Sequence, residues 1–317
     1  MDFGPHPSFS WSRSRHDTLE VCVRRYFWRY YRFWRGWEEE ADEEARRAWI
    51  LKKLTGLRAE LGRSLHRRAF ETGFRAAQGL ERPDAEALEG RTREELNRVV
   101  AASRDRGAFL ASPSRHPFLR SAWYGDGPDE EEIEAVRERL GPTHRRLAGH
   151  RIWRRVEEGE LEVLHLDDPD VRPEPAFELD GVPVYAEPDL VLRRTVDDRR
   201  VVVDWKSGRQ REGDLWQVAL YGLFLRETRR VRASTGRVEY LASGESEELE
   251  LDPPTVDRAE ELARESVGRM RELLEDPEAN RSGPKEAFPM VDRASICRWC
   301  DFYELCEPEL EEGRLER

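Results

Sequence analysis

Residues 201–208 read VVVDWKSG, and the preceding segment 187–191 reads EPDLV. The three valines are apolar and β-branched, which predicts a buried strand. Side chains two positions apart on a strand point to the same face, so Asp204 and Lys206 are expected side by side at its polar end. Asp189 lies at the end of the previous strand, and an antiparallel hairpin would bring it close to Asp204. The two segments therefore predict two carboxylates and one ammonium group at the same end of a sheet.

This combination of side chains has a chemical use. Carboxylate oxygens bind Mg²⁺ or Mn²⁺, and such an ion polarises a phosphodiester and lowers the pKa of bound water. Lys206 would position the attacking water and offset the charge on the phosphate. The alternative is an ordinary salt bridge at the end of a strand, which a lone D-x-K sequence leaves open.

Two neighbouring segments add polar groups to the same region. Gln217 and Tyr221 are four residues apart on a helix predicted over 214–229, so they share one face, which can look toward the Asp204/Lys206 end. His66, in the segment GRSLH over 62–66, is a further candidate. Taken alone, His66 is better explained as an ordinary surface or core histidine.

The two halves of the chain have different patterns. Up to about residue 150, the spacing of apolar residues predicts helices, including one over 62–78, two over 82–109 broken near Gly90, and one over 129–140. From residue 151 onward, extended runs are predicted over 151–156, 160–166, 176–179, 182–192 and 200–205, with an Asp-Gly hairpin turn at 180–181. Helices over 214–229 and 253–274 enclose two more strands, over 231–241 and 247–251. An α/β fold with a helical N-terminal half is therefore predicted.

The ordered set of motifs resembles the RecB-like branch of the PD-(D/E)xK nuclease superfamily. That branch includes nuclease domains of bacterial recombination helicase-nucleases and the CRISPR-associated exonucleases. Its pattern is a helical G-x-x-x-H, an Asp at a strand end, D/E-x-K and Q-x-x-x-Y. The matching positions here are Gly62 to His66, Asp189, Asp204 to Lys206, and Gln217 to Tyr221. One departure is Glu187, which stands where family members often carry glycine and which could add another carboxylate.

The resemblance implies a restriction-endonuclease-like core, with a mixed central sheet flanked by helices. It implies that His66, Asp189, Asp204 and the backbone carbonyl of Trp205 hold Mg²⁺ or Mn²⁺, and that Lys206 is the catalytic lysine. Gln217 and Tyr221 would touch the DNA backbone or support the site. Residues 1–307 would form one nuclease domain with 82–150 as a helical insertion, followed by an acidic tail over 308–317.

Four cysteines suggest a second centre. Cys297, Cys300 and Cys306 lie within ten residues, and Cys22 lies far upstream. Structural disulfides are not expected in a reducing cytoplasm, and four thiolates suit either a [4Fe–4S] cluster or zinc; buried thiols without a metal are a third possibility. The layout of one distant cysteine followed by C-x2-C-x5-C matches the iron–sulfur subset of the family. By that resemblance, segments 8–35 and 288–307 form a cluster-binding patch with a cysteine-rich C-terminal segment.

Charge is unevenly distributed along the chain. The net charge of −12 argues against indiscriminate binding of polyanions by the whole surface, so DNA contact would need a local basic face. Arginines alternate with aromatic residues over 24–35, and Arg24, Arg25 and Arg29, together with Tyr221, are the candidate DNA contacts. The alternative for the aromatic side chains of this segment is that they face the core.

These observations predict a metal-dependent nuclease that acts on DNA, on single strands or free ends, in recombination, repair or defence. The alternatives are a non-catalytic iron–sulfur DNA-binding subunit of a helicase–nuclease complex and a zinc-stabilised scaffold. The sequence holds no G-x4-G-K-[ST] loop, so a helicase would have to be a separate partner. With no long apolar run and no apolar leader, a cytoplasmic protein without a membrane partner is expected.

Overall fold

The computed structural model describes residues 4–171, 174–291 and 293–310. In the part up to residue 157 the helices are α1 (Arg13–Val21), α2 (Val23–Phe27), α3 (Glu43–Leu51), α4 (Leu57–Ala77), α5 (Ala85–Ala102), α6 (Arg106–Ala111), α7 (Arg120–Trp123), α8 (Glu130–Ala148) and α9 (Arg151–Glu157). A π-helical turn, Trp28–Arg32, continues α2. Three short strands lie among them, β1 (Trp11–Ser12), β2 (Leu54–Thr55) and β3 (Phe118–Leu119). The helical N-terminal half is thus confirmed.

Most of the strands follow residue 160. They are β4 (Leu161–Leu166), β5 (Phe177–Leu179), β6 (Val182–Tyr185), β7 (Leu190–Arg194), β8 (Arg200–Lys206), β9 (Thr235–Tyr240), β10 (Glu245–Glu250), β11 (Leu274–Asp276) and β12 (Arg281–Ser282). The helices of this part are α10 (Asp214–Arg229), α11 (Pro253–Arg271), α12 (Ala294–Cys297) and α13 (Tyr303–Cys306).

The central sheet is mixed and has five strands in the order β10-β9-β8-β7-β4. Within this sheet β8 and β9 run parallel, with α10 as the crossover between them, and the other neighbouring strands run antiparallel. Alternate residues of β8 face opposite layers: Val202 packs into the cluster that includes α10 and α11, while Val203 and Trp205 pack with α4 and α9. The mixed sheet flanked by helices fits the predicted restriction-endonuclease-like core.

Three local predictions were wrong. Residues 151–156 form α9 and not a strand, because His150 caps the helix through Ile152 N and Trp153 is buried beneath the sheet. The predicted strand over 182–192 is split into β6 and β7, which belong to different sheets; Pro188 lies in the gap and has no N–H to donate. Helix α5 runs unbroken through Gly90, which is exposed.

The predicted turn at 180–181 is confirmed. It joins β5 and β6, which are antiparallel. Asp180 and Gly181 both have positive φ, 51° and 74°, as the two central residues of a type I′ hairpin turn require.

Gly36→Ala is expected to destabilise the protein by about 1–3 kcal/mol. Gly36 is buried, and a Cβ at this position would lie 2.3 Å from the carbonyl oxygen of Ala45 and 2.7 Å from the Cβ of Trp49. Neither neighbour can move without shifting α3. Chemical denaturation of both proteins measures the difference.

Gly90→Ala is the matched control for that substitution. A Cβ at Gly90 meets nothing within 4 Å, and alanine in an exposed helix interior stabilises by about 0.5–1 kcal/mol relative to glycine. Equal unfolding midpoints for the two variants would contradict the close packing at Gly36.

Candidate active site

The hairpin of β7 and β8 brings the two predicted carboxylates together. Leu190 pairs with Val203, so Asp189, one residue before, lies beside Asp204. The backbone N–H of Trp205 donates to Asp189 Oδ2 at 2.7 Å. This bond fixes the Asp189 side chain against the end of β8.

Asp204 is almost fully buried, at 1% exposure. Tyr221 Oη donates to its Oδ1 at 3.1 Å, and Lys206 Nζ lies 2.8 Å from its Oδ2. Burial and the nearby charge of Asp189 raise the pKa of Asp204 to about 6. Among the described residues no group satisfies the hydrogen-bond geometry of Asp204 Oδ2. This oxygen already faces the Lys206 ammonium, and a buried carboxylate beside a second carboxylate is also a favourable place for a divalent ion.

Lys206 is held by a closed ring of polar contacts. Its ammonium donates to Gln217 Oε1 at 2.7 Å, and Gln217 Nε2 donates to Tyr221 Oη at 2.6 Å. Tyr221 then donates to Asp204, and the contact between Asp204 and Lys206 closes the ring. Gln217 and Tyr221 are one turn apart on α10, so a single rigid helix orients both the lysine and the carboxylate.

His66 reaches the same place from α4, on the other side of the sheet end. Its Nδ1 is 3.1 Å from Asp189 Oδ1. The charge of Asp189 raises the pKa of His66 to about 9. Burial acts to raise the pKa of Asp189, but the charge of His66 and the hydrogen bonds lower it below its usual value. His66 is 35% exposed, so this edge of the site is open to solvent.

Sequence reasoning missed Asp167 and His165. Strand β4 pairs with β7 so that Leu166 lies opposite Leu190, and the N–H of Asp167 donates to the carbonyl of Asp189 at 3.1 Å. Burial, with the charges of Glu187 and Asp189, raises the pKa of Asp167 to about 6. His165 Nε2 lies 3.3 Å from Glu187 Oε1, so Glu187 contacts this imidazole. The sequence feature that could have identified Asp167 is the pair of acidic residues, 167–168, directly after a strand predicted over 160–166.

The metal-site prediction can be compared with this arrangement. Within residues 4–171, 174–291 and 293–310, no group of three or more His, Cys, Asp or Glu side chains is arranged to hold a metal ion. His66 and Asp189 instead bond to each other, and Asp204 bonds to Tyr221. The ligand role of these residues, and that of the Trp205 carbonyl, stays a prediction.

The four cysteines lie together at a different place. Cys22, in the break between α1 and α2, lines one small apolar cavity with Cys297, Cys300 and Cys306. Trp28 Nε1 donates to Cys306 Sγ at 3.2 Å. Burial raises the pKa of Cys300 to about 12 and that of Cys306 to about 11. All four thiols line this cavity, but in the part of the chain that the structure describes no three of them are arranged to hold a metal ion, and the predicted metal centre stays a prediction.

The candidate DNA-binding arginines make intramolecular contacts. Arg24 is buried; its Nε donates to the carbonyl of Phe288 at 2.6 Å and its Nη1 to Glu309. Arg25 and Arg29 lie 3.5 and 3.6 Å from Asp301 Oδ2. Several aromatic side chains of this segment face the core, as the alternative to base stacking predicted: Tyr26, Phe27, Trp28 and Tyr31. These contacts join the segment 8–35 to 288–307.

The mixed sheet, with two acids, a lysine, a glutamine and a tyrosine at one end, fits the restriction-endonuclease-like class of nuclease folds. The family model of the PD-(D/E)XK nuclease superfamily matches residues 10–307, and the chain belongs to this superfamily. No curated protein sequence matches the chain. In the described residues no helix is both long and apolar enough to cross a membrane.

Proposed function

We propose that this protein is a deoxyribonuclease of the RecB-like branch that hydrolyses phosphodiester bonds with Mg²⁺ or Mn²⁺. The observation that carries the proposal is the closed ring of Asp204, Lys206, Gln217 and Tyr221, with Asp189 and His66 directly beside it. Superfamily membership supports the same chemistry. Single-stranded DNA or DNA ends are the proposed substrate, in recombination, repair or defence.

The side chains beside the ring are of the types that bind a divalent ion, and His66 and Asp189 would exchange their mutual bond for bonds to it. Asp189, Asp204 and His66 would hold it, with the Trp205 carbonyl as a further oxygen ligand. When bound, such an ion polarises the phosphodiester and lowers the pKa of its water. A ring nitrogen of His66 must be unprotonated to bind the ion, so metal binding competes with the protonated imidazole that the charge of Asp189 favours.

Lys206 would act on the substrate. Its ammonium is aimed by Gln217, and it retains donors that can approach a phosphate oxygen or the attacking water. Tyr221 and Gln217 keep the ammonium and the Asp204 carboxylate in fixed relative positions, which reduces the cost of orienting them during the reaction.

The cysteine cavity is proposed to hold a [4Fe–4S] cluster. Its lining residues offer four thiols, and the Trp28 N–H donates to one sulfur, as N–H groups do around such clusters. Zinc is the alternative, and metal-free thiols are the third. We further propose a cytoplasmic location, because a reducing compartment keeps clustered thiols out of disulfides.

The wider assignments are also proposals. Residues 1–307 form one domain with 82–150 as a helical insertion, and the acidic tail over 308–317 lies outside the described residues from 311 onward. A helicase is a proposed separate partner. Arg25 and Arg29 are better placed than Arg24 to contact DNA, since Arg24 is buried and bound to Glu309.

The test is cleavage by the purified protein. Labelled single-stranded DNA, duplex DNA and single-stranded RNA are incubated with Mg²⁺, with Mn²⁺ or with a chelator. Cleavage of single-stranded DNA that requires the metal is the expected result. Binding without cleavage under both metals would overturn the proposal in favour of a non-catalytic DNA-binding subunit.

A further inference from the structure

An exposed tryptophan lies in the loop between two of the cysteines. Trp299 is 57% exposed, whereas Trp11, Trp28, Trp153 and Trp205 are completely buried. Burial of an indole stabilises a fold considerably, so an indole left in solvent contributes little to the stability of this loop. A single exposed apolar side chain is common on protein surfaces, so the neighbours of Trp299 decide whether it can bind a ligand.

Two guanidinium groups flank this indole. Arg120 Cζ is 4.8 Å from the ring centroid and Arg298 Cζ is 5.6 Å from it. Arg120 Nη1 also donates to the carbonyl of Arg298 at 3.1 Å, which ties the loop to α7. Guanidinium planes and aromatic rings both stack on unpaired bases, and guanidinium groups bind phosphates. The three side chains together form what we call the Trp299 patch.

The charge around the Trp299 patch is opposite in sign to that of the whole chain. Arg25 and Arg29 lie close to Asp301, and the charge of Arg120 also acts on this acid. Three arginines thus surround Asp301, and the second acid of this region, Glu304, is paired with Arg47; arginines therefore outnumber acids here, in a protein whose net charge is −12. A local excess of positive charge is what a polyanion needs in order to bind here and not elsewhere.

The Trp299 patch is connected to the helix that carries His66. Arg120 follows β3 directly, and β3 pairs with β2, Thr55 opposite Leu119. Helix α4 begins two residues after β2 and leads to His66. The Trp299 patch is therefore joined through β3 and β2 to the start of the helix that carries His66.

We propose that Trp299 stacks on an unpaired base of single-stranded DNA while Arg120 and Arg298 bind the adjacent phosphates. The Trp299 patch is a substrate-binding subsite outside the hydrolytic centre. It rests on the proposed nuclease function for the identity of its ligand, but binding at it requires no cleavage.

The first experiment measures binding in the presence of a chelator, by fluorescence anisotropy with a labelled oligothymidylate. Trp299→Ala is expected to weaken binding by about 5- to 150-fold, the range for loss of one base–aromatic stack. Phe74→Ala is the matched control, because Phe74 is a similarly exposed aromatic residue, at 48%, on α4. Duplex DNA, whose bases are already stacked, should bind both variants and the wild type alike.

A second measurement covers the case in which Trp299→Ala disturbs the cysteine loop. In Trp299→Phe the ring remains, so the fold and most of the affinity should persist. The quenching of tryptophan fluorescence that accompanies oligothymidylate binding should shrink in this variant. The proposal is overturned if Trp299→Ala binds single-stranded DNA as tightly as the wild type does. It is also overturned if Trp299→Phe shows the same fluorescence quenching as the wild type. If Trp299→Ala loses affinity for single-stranded and duplex DNA alike, the patch binds by general charge attraction, and the proposal is again overturned. Failure of the nuclease proposal would appear separately, as intact DNA in the cleavage assay.

Discussion

Asp204→Asn is expected to reduce DNA cleavage by on the order of 10³-fold or more. The substitution keeps the size of the side chain but removes the charge of the most deeply buried acid in the candidate site. It also weakens the ring that orients Lys206, since Asp204 is one of its members. Lys206→Met should have an effect of the same order, because it removes the ammonium group without opening a cavity. Initial rates on labelled single-stranded DNA measure both losses.

Asp204→Asn should not lose thermal stability although it loses activity. Burial and the charge of Asp189 disfavour the charged form of Asp204, so the neutral amide should leave the thermal midpoint of the metal-free protein unchanged or raise it. Asp198→Asn is the matched control, as Asp198 lies in the exposed turn before β8 and should retain full activity. Full cleavage by Asp204→Asn, purified in parallel, would mean that the ring is not the catalytic centre.

The sequence could predict those contacts of the site that form within one strand, one hairpin or one helix. A β-branched run ending in D-x-K requires only strand alternation to place Asp204 beside Lys206, and the closing of a hairpin adds Asp189. Gln217 and Tyr221 need only the 3.6-residue period of one helix. Each of these relations spans a few residues, and local geometry determines it.

The parts that sequence missed depend on which strand lies next to which. Asp167 reaches Asp189 because β4, more than twenty residues earlier, forms the edge of the sheet next to β7. Nothing in the alternation of β4 identifies its neighbour. The segment 151–156 failed for a related reason: Ile152 and Trp153 are apolar in either conformation, and the cap at His150 together with the burial of Trp153 favours the helix.

With the proposed metal centre in the cysteine cavity, Cys22→Ser is expected to release that metal and to lower the free energy of unfolding by up to roughly 5 kcal/mol. That upper estimate is the chain-entropy effect of joining Cys22 to Cys297 through a shared metal centre, which closes nearly the whole chain into a loop. The direct contacts between the two segments, such as Arg24 with Phe288 and Phe27 with Phe288, remain in the variant. They hold the native ends together but cannot constrain the unfolded chain, so they do not replace the cross-link.

Activity separates this role from a catalytic one. Cys22 contacts no member of the ring around Asp204, so the folded fraction of Cys22→Ser should cleave DNA at nearly the wild-type rate at low temperature. Val21→Ser, a partly exposed neighbour on α1, is the control and should keep both its metal content and its stability. Metal and sulfide analysis of the wild type distinguishes the three possibilities. Iron with acid-labile sulfide supports the cluster, and zinc alone supports a zinc centre. If neither metal is found, the thiols are metal-free. Loss of the metal from Cys22→Ser without loss of stability would show that the centre does not hold the two ends of the fold together. Removal of a cross-link that constrains the unfolded chain must change the free energy of unfolding.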